Sequence, residues 1–411
     1  EAMLYEGKVI DRRGSVEAKN TVSDNSEIEQ LNQRSIYATP LYAEFMDTKF
    51  NIIDAPGADD FVGGAVSAFK VCDTAILVTN AQQGVEVGTE IFARYADNYN
   101  MPVILGINQL DGEKANWENT LDGLKEAFGQ KPVIVQFPVN VGTGFDGFVD
   151  VLKMKYYHFK DDNGTREDLE IPAELQEQAE ELRGQLIERA AEFDDGLMEK
   201  YFETGVLTED EIRKGLGIGI RQLAIMPIFC LSAKKDIGVK RLFEFTRRVA
   251  PVPTNKEEGA PSIFIYKNAV EQHLGEVSYF KVMSGTITPG IDLEDPVTGG
   301  KDRLSAIYAV AGQKREAVDQ IHAGDFGCAV KLKNSRANTT LSLPGSGINY
   351  DKIVFPASKY ECAIKAKVVQ DEQKLGDALK KISSQDPTVV VDYNKELRQT
   401  SLKGNGEQHI N

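Results

Sequence analysis

At 411 residues the chain is too long for one ordinary hydrophobic core, and about two to four domains are expected. A formal net charge of −16 excludes general adhesion to a nucleic-acid backbone, so any contact with RNA has to use local patches. The longest apolar runs are far short of a membrane span and no signal peptide is visible, which points to a cytoplasmic protein with no membrane partner.

In chain order, residues 1–252 alternate strand-like and helix-like segments, which predicts an α/β domain. Arg12 and Arg13 read as solvated surface or, less simply, as an RNA contact. The apolar stretch from Phe50 ends in Asp54 and breaks at Pro56-Gly57. A second run, Pro102 to Ile107, ends in Asn108 and Asp111, with Trp117 close by as a helix packing residue. From about 142 to 225 the chain is rich in Glu, Gln and Ala at helical spacing, which predicts a helical insertion. Most of the acidity, between Asp161 and Glu211, is its solvated face. A third apolar run, Met226 to Leu231, ends in Ser232-Ala233-Lys234. Pro and charge mark Ala250 to Gly259 as a linker, which predicts modest contacts between the domains it joins and room for hinge motion. Residues 258–345 give short alternating strands broken by Gly and Pro, as in a small β-barrel; examples are Glu276 to Val282 and Gly327 to Leu332. Residues 357–411 read strand, helix (Asp371 to Ser383), strand, strand, helix start: most of a split βαβ unit of the ferredoxin-like α+β kind, incomplete at its C-terminal end. Cys72, Cys230, Cys328 and Cys362 sit in apolar contexts and read as reduced core residues. His273, His322 and His409 are far apart, without metal-ligand spacing, and read as structural.

The three polar triplets share one logic. In an open parallel sheet the loops after the strands line one edge, where ligands bind, so three such loops can converge on one nucleotide. Asp54 is an acceptor suited to a water on Mg²⁺. Gly57, lacking Cβ, lets its N–H approach a terminal phosphate. Asp111 offers two coplanar oxygens to the N1–H and N2–H₂ donors of guanine, which adenine lacks. Asn108 holds the loop and reaches the base edge, the Ala233 N–H reaches guanine O6, and the Lys234 stem covers the ring.

These residues lead to a family. The chain resembles the translational GTPases, and closely the elongation factor G family, in Asp54-x-Pro-Gly57 with Asp60-Phe61, Gln83-Gly-Val-Glu86, Asn108-x-x-Asp111, Phe193-Asp194-Asp195, Ser284-Gly-Thr286, Ala323-Gly-Asp325, Asp386-Pro-Thr388 and Gly404-x-Gly-Glu-x-His409. The resemblance implies a P-loop-type GTPase domain, a β-barrel second domain and an α+β third domain, with GTP or GDP and Mg²⁺ as ligands and the ribosome, its RNA and proteins, as partner of a monomer. The phosphate loop GxxxxGK[ST] is absent from these residues, and Glu1 to Gly7 resembles the end of the helix that follows it, so the loop is expected just upstream.

Three departures mark the chain as divergent. Where the family places a water-positioning His after the DxPG glycine, this chain has Ala58. Arg34-Ser-Ile-Tyr37 matches the family's Arg-Gly-Ile-Thr, so Tyr37 replaces the Mg²⁺-binding Thr, and Thr39 substitutes only if the register slips. The Lys of the base-recognition motif is Gln109, which loses the charge. The expectation is a GTP-binding, elongation factor G-like translocation factor with impaired or absent hydrolysis and no catalytic residue retained. The competing expectation is an active ribosome-dependent GTPase serving translocation, ribosome recycling or ribosomal protection.

Overall fold

The computed structural model describes residues 1–271, 274–394 and 399–410, so His273 lies outside the described residues. Its first region is built on a parallel sheet of four strands in the order Ala75–Asn80, Val103–Asn108, Met226–Cys230, Pro132–Ile134. The two middle strands are continuous apolar runs because helices cover both faces, and Val103 to Ile107 are all buried. Helices Val62–Val71, Val87–Asn98, Trp117–Phe128 and Val239–Val249 supply that cover. Trp117 is 5% exposed and packs in the core beneath them.

Beside this sheet stands an antiparallel hairpin, Thr39–Phe45 with Thr48–Asp54. Its two-residue turn, Met46-Asp47, holds both residues in the left-handed region (φ 46° and 61°), the geometry that matches strand twist. The hairpin does not pair with the parallel sheet, and Val78 on the facing edge strand is 53% exposed.

Residues 136–169 form a four-stranded antiparallel sheet: Gln136–Pro138, Gly147–Asp150, Lys155–Phe159 and Arg166–Leu169. Helices start only at Gln176, so the front of the segment expected to be helical is strand. Its aromatics explain why: Phe148, Tyr157 and Phe159 pack together on one face of the sheet. Behind it Asp150 and Arg241 form a buried ion pair at 2.6 Å. The following helices Gln176–Ala191, Asp195–Thr204 and Glu209–Arg221 carry side-chain caps at Asp194 and Thr208, the latter a full capping box with Glu211.

The second region is an eight-stranded antiparallel sheet that curls into a half-barrel around Ile263, Ile265, Phe280, Val282 and Leu293, with a separate pair Thr286–Ile287/Ile321–His322. Strand Ser262–Glu271 is apolar on both faces. Ile263 and Ile265 enter that inner core, while Phe264 and Tyr266 turn outward onto helix Val62–Val71 of the first region. This contact is larger than the linker's composition predicts: Val62, Ala65, Val66, Val71 and Phe92 share one buried cluster with Phe264, Tyr266, Tyr279, Val310 and Ile353. Two lysines cross it, Lys281 buried and Lys267 half-buried. Lys281 donates to Val71 O at 2.8 Å and to Asp73, and Lys267 donates to Ala38 O at 2.5 Å.

The third region pairs strands Tyr360–Ile364, Gln399–Gly404 and Val390–Asn394, with helix Glu372–Gln385 packing through Leu379 onto Val389 and Leu402. A short helix, Glu407–Ile410, follows. Cys230 and Cys328 are buried, and Cys72 and Cys362 are half-buried. Among the described residues no helix is long and apolar enough to cross a membrane.

Candidate guanine-nucleotide site

Two of the three expected loops meet at the C-terminal edge of the parallel sheet. Strand pairing sets them side by side: Leu231 N donates to Ile107 O at 2.9 Å and Leu110 N to Leu231 O at 3.3 Å. Asn108 then ties them together, its Oδ1 accepting the Ala233 N–H at 2.9 Å. That N–H, the expected donor to guanine O6, is here spent within the protein. The Lys234 N–H makes no hydrogen bond among those of the described residues, which leaves it as the loop's open donor. Ser232 is fully buried and closes the loop through reciprocal bonds with Ile237. Lys234 is exposed.

Asp111 is half-buried, and its carboxylate has no hydrogen bond or ion pair among the described residues. Two free coplanar acceptors on Asp111 and an open N–H at Lys234 are the donor and acceptor types that guanine complements. Gln109 takes the left-handed conformation (φ 59°), and its Oε1 accepts from Gln82 Nε2 at 3.2 Å. The amide is thus steadied by Gln82, the residue just before the Gln83-Gly-Val-Glu86 motif.

Asp54 ends the hairpin and lies among Ser23, Glu1 and Glu29. Burial pushes its carboxyl up, opposed by the Ser23 hydroxyl, and Asp24 next to it is also raised by burial. The Asp54 carboxylate is an oxygen donor of the kind a hard divalent cation such as Mg²⁺ takes. Glu1 and Glu29, however, are engaged in hydrogen bonds, and among the described residues no group of three or more His, Cys, Asp or Glu side chains is placed to hold a metal ion. Thr39 faces Asp54 across the hairpin, but its hydroxyl donates to Ser23 O at 3.0 Å, so the slipped-register substitute is already engaged.

The segment that carries Tyr37 is held by Glu29. This residue is 2% exposed, receives the Ile36 and Tyr37 N–H groups on one oxygen, and closes a capping box with Ser26 on the other. The box Ser26-x-x-Glu29 was the available sequence signal for it. The Tyr37 ring is partly exposed, with the Lys267 ammonium 5.9 Å from its centre. Burial pushes that lysine down to about 8.

Gly57 is exposed with open space beside it. Ala58 precedes a 3₁₀ turn, Asp59–Phe61, whose polar groups point to the third region. Asp59 pairs with Lys359 at 2.5 Å, and Asp60 Oδ2 accepts the Gln408 N–H at 2.9 Å. A Cβ on Gly406 would stand 2.2 Å from an Asp60 oxygen, so any other residue here would displace the Asp60 carboxylate from this approach. Phe61 is edge-on to His409, which is held between Asp386 (2.9 Å to Nε2) and the Asn405 N–H. His322 lies elsewhere, in the second region, near Thr286.

Arg13 is the largest departure from the sequence reading. It is half-buried, and its guanidinium donates to Ala233 O at 3.2 Å, to Lys234 O at 2.9 Å and to Asp162 O, while lying over the Tyr5 ring.

Residues 1–252 match the elongation factor Tu GTP binding domain, residues 260–343 match elongation factor G domain 2, and residues 355–411 match elongation factor G domain III. A crystal structure of a protein from Thermus thermophilus superposes with a TM-score of 0.91 at 27% identity, covering 100% of this chain. The chain spans 62% of that structure's length. With a GTP-binding domain model covering more than half of its residues and two further domains in the expected order, the chain belongs to the translational GTPases of the elongation factor G family.

Proposed function

We propose that the protein is a guanine-nucleotide-dependent, elongation factor G-like factor that acts on the ribosome in translocation and hydrolyses GTP slowly. In this reading Asp111 and the Lys234 N–H select guanine, Asn108 and Ser232 hold the loop, Gln109 and the Lys234 stem cover the base, and Gly57 faces the terminal phosphate. Asp54 would hold Mg²⁺, through a water, and the ion would screen phosphate charge as the γ-phosphoryl group leaves.

The observation that carries the slow-hydrolysis reading is the fate of the groups around Ala58. The methyl cannot orient a water. The adjacent carboxylates, the nearest substitutes, are committed elsewhere: Asp59 to Lys359 and Asp60 to the Gln408 N–H. The same commitments link the γ-phosphate side of the site to the third domain, so a change of nucleotide would be felt there.

The test is multiple-turnover phosphate release by the full-length protein with purified ribosomes. Loss of one catalytic hydrogen-bonding group costs roughly 10²–10³ in rate, and a deficit of at least that size against an ordinary elongation factor G is expected. Ala58→His should recover part of it and Ala58→His with Tyr37→Thr more. A wild-type rate equal to the ordinary factor would refute slow hydrolysis and favour an active GTPase of translocation, recycling or ribosomal protection.

A further inference from the structure

We propose that Arg13 is a positioning residue for base recognition: by gripping the carbonyls of Ala233 and Lys234 it aims the Lys234 N–H at the guanine O6. The inference rests on reading the 232–234 loop as guanine-contacting.

Geometry supplies the argument. A trans peptide unit points its C=O and N–H in opposite directions. An arginine that holds Ala233 O, at 3.2 Å, therefore turns the Lys234 N–H away from itself. That N–H is the donor left open, because Asn108 takes the Ala233 N–H and the Ser232 hydroxyl takes the Lys235 N–H at 3.3 Å. The second bond, to Lys234 O at 2.9 Å, fixes the next peptide plane as well. One guanidinium nitrogen, Nη1, holds both loop carbonyls while Nη2 reaches Asp162 O, a spread across one rigid planar fork that the single nitrogen of an ammonium does not offer.

Arg13 is also kept in place from its other side. It lies 5.5 Å from the centre of the Tyr5 ring and bonds Asp162 O. Beneath the loop lies Asp236, 1% exposed, with neither carboxylate oxygen hydrogen-bonded and with Glu6 close by. The Arg13 and Lys240 charges are the cations acting on that acidic pair. The position lies 220 residues upstream of the loop it grips, so the contact couples the segment leading to Tyr37 with the base pocket.

The experiment measures affinities of the full-length protein by competition against a fluorescent GDP. Three competitors are used: GDP, inosine diphosphate (no N2 amine) and 2-aminopurine riboside diphosphate (no O6 and no N1–H, the second loss being common to wild type and Arg13 variants and cancelling in their comparison). In Arg13→Ala the preference for GDP over the 2-aminopurine nucleotide should fall about tenfold, the scale of one hydrogen bond, while the preference over inosine diphosphate, read by Asp111, stays. Arg13→Lys, which keeps the charge but loses the planar fork that fixes the loop and Asp162 O together, should fall between; it carries the test alone if Arg13→Ala does not fold. Asp111→Asn runs in parallel and should exchange GDP for xanthosine diphosphate. If Asp111→Asn exchanges the base but both Arg13 variants keep the O6 preference within twofold, the role of Arg13 is overturned. If Asp111→Asn changes nothing, the base-site reading fails and takes this inference with it.

Discussion

Replacing Lys281 with methionine tests what holds the first two domains together. The Lys281 side chain is 4% exposed, its ammonium 2.8 Å from Val71 O and 3.1 Å from each oxygen of Asp73. Opposite charges at that distance attract by about 5 kcal/mol at an effective dielectric of about 20. Desolvating the ammonium costs several kcal/mol, so the net contribution of the pair is far smaller. Methionine refills the volume of the lysine stem but leaves Val71 O without a donor, at a cost of about 1–3 kcal/mol. Asp73, 32% exposed, turns back to water and adds little. The expected loss is about 2–3 kcal/mol. It should appear in urea unfolding and, since the domains need not unfold in one step, as faster amide exchange at the end of helix Val62–Val71 and in strand Gly275–Ser284. Asp73→Asn should cost less alone, and the two changes together should cost less than their sum. A loss under about 0.5 kcal/mol, additive with Asp73→Asn, would mean that the apolar cluster alone joins the domains.

Two further outcomes follow from buried carboxylates. Burial, reinforced by Glu6, pushes the Asp236 carboxyl up to about 7. The native state then keeps a proton that the unfolded chain gives up near pH 4, so stability falls as pH rises from about 4 to 7 and levels off above. The span is at most about 4 kcal/mol. Asp236→Asn should flatten that slope in melting curves at pH 5 and pH 8; an unchanged slope would assign it to other groups. Glu29→Gln removes one acceptor oxygen from four hydrogen bonds and should loosen residues 33–38, seen as faster amide exchange there at a cost of about 2 kcal/mol. Unaltered exchange in that segment would show that Lys267 holds it instead.

The loops that end the three apolar runs were legible because each is local: an apolar run stops, and a polar triplet follows. Domain order was legible for the same reason. The contact between the first two domains was not read, although its signal was present: Ser262 to Tyr266 lacks the polar alternation of a half-exposed strand, which means burial on both faces. The sheet at 147–169 was hidden by the acidic helices after it. Arg13, Lys267 and Lys281 had no signal at all. Two adjacent arginines look like solvated surface until a fold brings carbonyls from 149 to 221 residues away into reach.

Arg13 and Lys267 share a property with an evolutionary consequence. The hydrogen bonds they make to the first domain end on main-chain oxygens, those of Ala38, Asp162, Ala233 and Lys234. A main-chain acceptor persists whatever side chain its residue carries, so those four positions are free to drift without breaking the contact. Correlated substitution, which reports pairs that must change together, has nothing to record here. In a collection of relatives these two residues would stand as solitary invariants or solitary losses, and a contact map inferred from covariation would leave out the ties that bind the segment between residues 13 and 38 to its surroundings.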